Sequence, residues 1–416
     1  MSELLSGPEP ERRPIDHEIV SLKEGPIEIE LANHRLRIVN PIRDLGQDGW
    51  NVDYLVIDPN DFDPDDNRGY KGLWEGEGED IILGREHTYD RFKFSDYASR
   101  EHVRLRRDGD KLEIEDLNTT NGTYLLLPRP QTTGRTSRTH DTRREGYLST
   151  AELAGLSIAS ESHPERNEDA FFLDETSRAL GVFDGVGGAQ GSELASKLAS
   201  EAVAKYLKST QSVLPKQLSH LAMYGALYAG HEAIINGADG RDIATTAAVA
   251  KVFETEEGEP YVVVASVGDS RAFQFRDRRL THLTLDQAYY LPGRDEKDIK
   301  DMQMTLAQAT DLSELTREEQ LAFRFRNVIS SYLGGSNNQP VITVNDFKVQ
   351  KGDRLVITTD GIHDNLTNSE IEDILQQMGS SDIAVKALVK AASLRSKDPD
   401  HIRAKPDDMT AVALSL

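Results

Sequence analysis

The chain has 416 residues, enough for roughly two to three domains, with 48 basic against 71 acidic side chains and a formal net charge of −23. That balance disfavours non-specific binding to nucleic acid, a polyanion that Lys and Arg must neutralise, and suits a protein that gathers divalent cations. The absence of cysteine excludes a disulfide, a zinc–thiolate site and a thiol nucleophile.

Residues 1–17 are polar and proline-bearing and read as a tail. The opening MSELLSGPEPERRP has no apolar core of a secretory signal, and no apolar run approaches the ~20 residues of a membrane span. A cytoplasmic protein without a membrane partner is the expectation. From 18 to 127 the pattern predicts an all-β domain. IEIELANHRLRIVN (27–40) alternates, and HVRLRRDGDKLEIEDL (102–117) predicts a hairpin with Asp108-Gly109 at its turn. The acidic DPDDNRGYKGLW (63–74) starts like a calcium loop but has Arg68 and Trp74 where the turn glycine and the bidentate glutamate are needed, so it reads as a surface loop.

Residues 128–146 contain no aliphatic side chain. Arginines 129, 135, 138, 143 and 144 face only Asp141 and Glu145, and the segment predicts a flexible linker. The pattern then changes for 147–416. Helical spacing occupies 192–207, 214–235, 369–378 and 381–394. Strands are predicted at 246–253, 261–267, 271–275, 354–358 and 409–414. Sequential strands with short turns predict an α+β fold, an antiparallel sandwich flanked by helices, rather than a doubly wound parallel sheet.

The chemistry concentrates in this C-terminal part. VFDGVGG (182–188) has a glycine-rich turn after an apolar run, yet it lacks the Lys-Ser/Thr of a phosphate loop, and the third glycine of a dinucleotide fingerprint falls on Gln190. Its aspartate belongs to a larger set: Asp169 in RNEDAFF, Asp184 in VFDGVGG, Asp269 in VASVGDSRAF, Asp360 in LVITTDGIHD and Asp407 in KPDDMTAVAL. One aspartate at a strand end is normally a turn or a cap. Five in one domain, with few cations nearby, call for hard divalent ions that prefer oxygen ligands. Gly185, without a Cβ, lets its carbonyl approach such an ion.

The order NEDA, DGVGG, TT, VGDSR, NVISSYLGG, TTDGIHDNL, DDMT resembles the metal-dependent protein phosphatases of the protein phosphatase 2C family, in its bacterial branch. The resemblance implies a binuclear Mn²⁺ or Mg²⁺ centre. Asp184 answers to the bridging carboxylate, helped by the Gly185 carbonyl. Asp360 and Asp407, rather than Asp408, answer to further ligands of one ion. Glu168 and Asp169 serve the second ion and its waters, and Asp269, with Asp360 shared, answers to a ligand of a third. Two such ions lower the pKa of a water placed between them and aim it at phosphorus. Two departures stand out. The family's phosphate-binding arginine falls on Pro164, leaving Arg166 as the nearby candidate. Val186 stands where eukaryotic relatives carry a histidine. Residues 286–325 match the family's flap, a place for substrate choice.

In the N-terminal half, Gly84-Arg85, Ser99-Arg100-Glu101-His102 and Asn121-Gly122 resemble a forkhead-associated (FHA) domain, a β-sandwich that recognises phosphothreonine. The resemblance implies that Arg85 and Ser99 hold the phosphate, that Arg100 and Thr120 assist and that Asn121 holds the peptide backbone, with His102 bracing the loops. The expected partners are phosphorylated proteins, a Ser/Thr kinase or its substrates, with no nucleic acid. The expected function is a metal-dependent phosphoserine/phosphothreonine phosphatase that its FHA domain targets to partners. One alternative is a weak or inactive phosphatase fold serving as a phosphothreonine-binding scaffold, for which the missing arginine at 164 speaks. Another is a phosphatase of small phosphoesters with the β-domain as a spacer.

Overall fold

The computed structural model describes eight strands between residues 17 and 128, and residues 152–416 apart from 188–190, 256, 289–295 and 336–337. The linker 128–146, beyond Pro128 itself, and the calcium-like loop 63–74 lie outside the described residues.

The N-terminal strands are β1 (His17–Ser21), β2 (Ile27–Glu30), β3 (Leu36–Arg43), β4 (Trp50–Ile57), β5 (Asp80–Leu83), β6 (Val103–Asp108), β7 (Lys111–Asp116) and β8 (Tyr124–Pro128). They form two antiparallel sheets, in the orders β1-β8-β3-β4 and β2-β7-β6-β5. The expected hairpin is β6–β7, closed where Asp108 faces Lys111. Its alternation has the period of two that a half-buried sheet requires: Val103, Leu105 and Ile114 are buried, while Arg104, Glu113 and Glu115 are half-buried. Arg104 and Glu115 are cross-strand partners and form an ion pair.

The C-terminal part is a four-layer α+β sandwich. The strands β10 (Asp169–Asp174), β11 (Ala179–Val186), β12 (Ala244–Thr245), β13 (Ala247–Glu254), β14 (Pro260–Val267), β17 (Leu333–Gly334) and β18 (Thr343–Lys348) make one antiparallel sheet. The strands β9 (Glu152–Ile158), β15 (Arg271–Arg276), β16 (Arg279–His282), β19 (Arg354–Thr358) and β20 (Met409–Ser415) make the other. Strand β13 shows how the layers stack. Ala247, Val249 and Phe253 pack toward helices α1 (Ser192–Ser209) and α2 (Lys216–Gly237). Ala248, Ala250 and Val252 pack toward Leu355, Ile357 and Val412 of the facing sheet. Both faces of the strand are buried, so its sequence is apolar at nearly every position rather than alternating, with only the buried Lys251 breaking the run before Glu254 ends it.

Helices α6 (Asn368–Gln377) and α7 (Ser381–Arg395) cover the outer face of the second sheet through Ile371, Leu375, Ala384, Leu388 and Ala392. Both are capped by side chains, α6 by a Thr367–Glu370 capping box and α7 by the Ser380 hydroxyl. Helix α2 starts at Lys216 rather than at 214, because Pro215 is its N-cap and disfavours helical geometry at Leu214. The flap segment holds α3 (Glu296–Gln308) and α4 (Arg317–Arg324), which share a small core of Met302, Leu306, Leu315, Ala322 and Phe323. Among the described residues no helix is long and apolar enough to cross a membrane.

Candidate active site

The β10–β11 hairpin sets the centre of the site, because its register places Asp169 directly opposite Asp184. Asp184 lies inside β11, not at its end, and the following Gly185 still pairs with Thr245. The two threonines of the TT motif lock this strand. Thr246 N and Thr245 Oγ1 both donate to the Asp184 carbonyl at 2.8 Å, and Asp184 N donates to Thr246 Oγ1 at 3.2 Å. Gly185 has a packing reason beyond its carbonyl: a Cβ there would stand 2.7 Å from Ser192 O and 2.8 Å from Glu168 O.

Three further aspartates come from other elements. Asp269 sits in the turn between β14 and β15. Asp360 opens the short helix α5 (Asp360–His363) at the end of β19, and Asp407 precedes β20. Gly361 is what lets α5 come so close to that last strand, since a Cβ on it would meet the Asp408 carbonyl at 1.8 Å.

Burial and crowding dominate the electrostatics. Burial, then repulsion from neighbouring carboxylates, pushes Asp184 well above the usual carboxylate range. Asp269 is raised for the same reasons. Burial also raises Asp169, against the pull of hydrogen bonds from Thr410 Oγ1 (2.6 Å) and Thr359 Oγ1 (2.8 Å) to its Oδ2. Asp360 is pushed up to about 6 by burial, with Lys405 opposing. Asp169 Oδ1 and Asp360 Oδ1 are buried and accept no hydrogen bond. Orphaned carboxylate oxygens in a crowded, buried acidic site are donors that fit a hard divalent cation.

The two aspartates of the DDMT motif divide their work. Asp408 is 3 % exposed, and its carboxylate accepts from Ser160 N and Glu168 N, both at 2.6 Å. It therefore clamps the two ends of the loop that carries Arg166. Asp407 accepts from Asp408 N with its Oδ1, and its Oδ2 lies 3.0 Å from Lys405 Nζ. Glu168 stands next to Asp169, with Arg166 Nη2 2.5 Å from its Oε1, so the candidate phosphate-binding arginine is paired with a candidate metal ligand.

Residues 159–393 match the family model described as protein phosphatase 2C, more than half of the chain. The chain belongs to the protein phosphatase 2C family. A second family model, the FHA domain, matches residues 81–136 of this phosphatase. Strands β1 and β2, which precede that match, pair with β8 and β7 inside it, so the β-domain's sheets reach back to His17. The relatives agree with the assignment. The serine/threonine phosphatase stp of Listeria welshimeri is 25 % identical over 248 residues, covering 57 % of this chain and 87 % of its own. The serine/threonine phosphatase Stp1 of Staphylococcus aureus has the same fold, with a TM-score of 0.50 and 20 % identity over 66 % of this chain and 98 % of that one. The catalytic domain of the phosphatase PstP, solved in complex with two manganese ions, has a TM-score of 0.47 and 22 % identity over 64 % of this chain and 97 % of that one. The chain is thus a phosphatase, a hydrolase of a family that uses Mn²⁺ or Mg²⁺, joined to an FHA domain.

Of the sequence-predicted residues of the phosphatase, Asp184 and Gly185 lie within β11, Glu168, Asp169, Asp269, Asp360 and Asp407 stand at strand ends, turns and a helix start, and Arg166 pairs with Glu168. The FHA candidates Arg85, Ser99, Arg100, Thr120 and Asn121, and His102, lie outside the described residues. Sequence reasoning missed Lys405 and Asp364. Lys405 Nζ bonds Asp360 and lies 3.0 Å from Asp407 and 3.2 Å from Asp364. Asp364 takes a second cation, Arg326, at 3.1 Å. Burial would raise Asp364, but Lys405 and Arg326 hold it far below the usual range. Among the described residues no three acidic or imidazole groups stand together closely enough to hold a metal ion as they are. Lys405 stands where Asp360 and Asp407 converge. The one available signal was its position, a lone lysine two residues before Asp407 in AKPDD.

Proposed function

We propose that this phosphatase hydrolyses phosphoserine and phosphothreonine esters of proteins at a divalent-metal centre, and that its FHA domain holds phosphothreonine-bearing partners for it. The observation that supports the reading is the electrostatic crowding of Asp184 by Asp169, Asp269, Asp360 and Asp407, with Asp169 Oδ1 and Asp360 Oδ1 buried and unpartnered. Asp184 is the proposed bridging ligand, with Gly185 offering its carbonyl. Asp360 and Asp407 would hold one ion, Glu168 and Asp169 a second, and Asp269 together with Asp360 a third. When bound, Mn²⁺ or Mg²⁺ supplies water activation and charge neutralisation at the phosphoryl group.

The chain's own residues do the rest. Thr245 and Thr246 fix the Asp184 backbone, and Thr359 and Thr410 fix one oxygen of Asp169, so the other oxygen faces the site in a single orientation. Arg166 is held at the rim by Glu168 and orients the phosphate with a charge-assisted hydrogen bond. Asp408 keeps that loop in place. No histidine follows Gly185, so no side chain there protonates the leaving oxygen.

In the FHA domain, Arg85 and Ser99 are the proposed phosphate ligands, Arg100 and Thr120 assist, and Asn121 holds the peptide backbone. Tethering a phosphorylated partner, such as a Ser/Thr kinase or its substrate, raises its effective concentration at the catalytic domain. The test is hydrolysis of a phosphothreonine peptide with Mn²⁺, with EDTA and with Asp360→Asn, alongside phosphopeptide capture by Arg85→Ala. Activity that needs metal and collapses in Asp360→Asn supports the reading. Metal binding without hydrolysis would instead support the scaffold reading. Capture by Arg85→Ala equal to the native chain's would remove the FHA role.

A further inference from the structure

We propose that Lys405 is a built-in competitor of the divalent ion. Its ammonium occupies the Asp360–Asp407 pair when the metal is absent, and Asp364 is the seat that receives it when the metal binds. The inference rests on the metal-centre reading above and deepens it.

Three carboxylates, two from the α5 turn and one from the segment before β20, share this one ammonium. Lys405 Nζ bonds Asp360, lies 3.0 Å from Asp407 Oδ2 and 3.2 Å from Asp364 Oδ2. Asp360 and Asp407 are in the proposed ligand set; Asp364 is not. The geometry separates two sides of the lysine. On one side are Asp360, whose Oδ1 is buried and unpartnered, and Asp407. On the other is Asp364, whose Oδ2 already faces both Lys405 and Arg326 at 3.1 Å. Asp364 is fixed on the same turn as Asp360, its N–H donating to the Asp360 carbonyl at 2.8 Å. An ammonium on a flexible four-carbon stem passes from one side to the other without a backbone change.

A dication at Asp360 and Asp407 repels the ammonium that neutralised them, and Asp364 stays as its partner. Two consequences follow from this exchange. Without metal, Lys405 relieves the repulsion among buried carboxylates. With metal, displacing Lys405 is part of the binding free energy, so affinity is set below what the bare carboxylates would give. Arg326 follows the flap helix α4, so its ion pair with Asp364 links the flap to this second seat.

Calorimetric titration of the full chain with Mn²⁺ tests the exchange, with circular dichroism as the check on folding. Lys405→Gln is expected to bind Mn²⁺ more tightly, by about tenfold, the size of a typical coupling between two binding events. Asp364→Asn is expected to bind it more weakly, because the ammonium has lost its second seat. In the double variant Lys405→Gln/Asp364→Asn, the affinity is expected to stay near that of Lys405→Gln, since Asp364 acts through the lysine. Unchanged or weaker binding by folded Lys405→Gln would overturn the proposal and leave Lys405 a structural counter-ion. If Lys405→Gln does not fold without metal, Asp364→Asn against the charge-conserving Lys405→Arg decides. Weaker binding by the first with near-native binding by the second supports the exchange, and native affinity in Asp364→Asn overturns it. A native chain that binds no Mn²⁺ at all would sink the metal reading itself, and this inference with it.

Discussion

Asp169 and Asp184 are cross-strand partners, two acidic side chains held face to face by the register of one hairpin. Like charges directly opposite in a sheet destabilise it, and burial raises both pKa values further. A hairpin built this way needs a cation. Asp184→Asn is therefore expected to raise metal-free stability by about 1 kcal/mol. The same change lowers hydrolysis of a phosphothreonine peptide by about a hundredfold or more, the scale of losing a principal electrostatic group. Thermal melts in EDTA and steady-state assays in Mn²⁺ check the two halves. A variant that loses both stability and activity would count against the repulsion argument.

Asp408 works on the loop rather than on the site. Its carboxylate receives two backbone N–H groups, from Ser160 and Glu168. Asp408→Ala leaves both donors buried without their acceptor and is expected to cost ~2–3 kcal/mol. Asp408→Asn keeps one acceptor and costs less. Urea denaturation measures the loss. Mn²⁺ affinity, expected to fall much further in Asp407→Asn than in Asp408→Asn, separates the clamp from the ligand.

Gly361 tolerates no side chain. An added Cβ would sit 1.8 Å from the Asp408 carbonyl, a backbone atom that cannot swing aside. Gly361→Ala is expected to cost ~3 kcal/mol or more, since α5 and the start of β20 must separate. Soluble yield and the melting temperature report this directly. Near-native values for both would show that the two segments part more easily than their packing implies.

Lys251 gives the chain an alkaline rise in stability. Its side chain is 0 % exposed, donates to Ser177 O at 2.8 Å and lies 5.4 Å from the Phe253 ring centroid. Burial lowers its pKa from 10.5 to about 8. Between those values the unfolded chain binds the proton and the folded chain does not. Stability is thus expected to rise with pH across that window, approaching ~3 kcal/mol, and to be flat below it for this group. Lys251→Met removes the rise. Urea midpoints from pH 7 to 10.5, native against variant, test the sign, and parallel profiles would refute it.

The local elements were legible in the sequence because each carries its burial in its own periodicity. Helix α7 and strands β13, β14, β15 and β20 fall within a residue or two of where apolar spacing puts them. The candidate aspartates were legible because four of the five abut an apolar run, and the family's motifs supplied their order. What the sequence could not carry was compensation between distant groups. Asp184 reads as a strand-end residue, yet its strand runs on to Val186 because Gly185 and Val186 pair with β12.

Lys405 meets Asp360 across 45 positions, and Asp408 holds Glu168 across 240. No local pattern encodes such meetings. The α+β character, the acidic set and the family were readable from residue order alone. That Asp408 clamps a loop and that Lys405 stands among Asp360, Asp364 and Asp407 came only from the folded arrangement. A charge's partner depends on the distance between side chains in space, and folding fixes that distance through packing far from either residue.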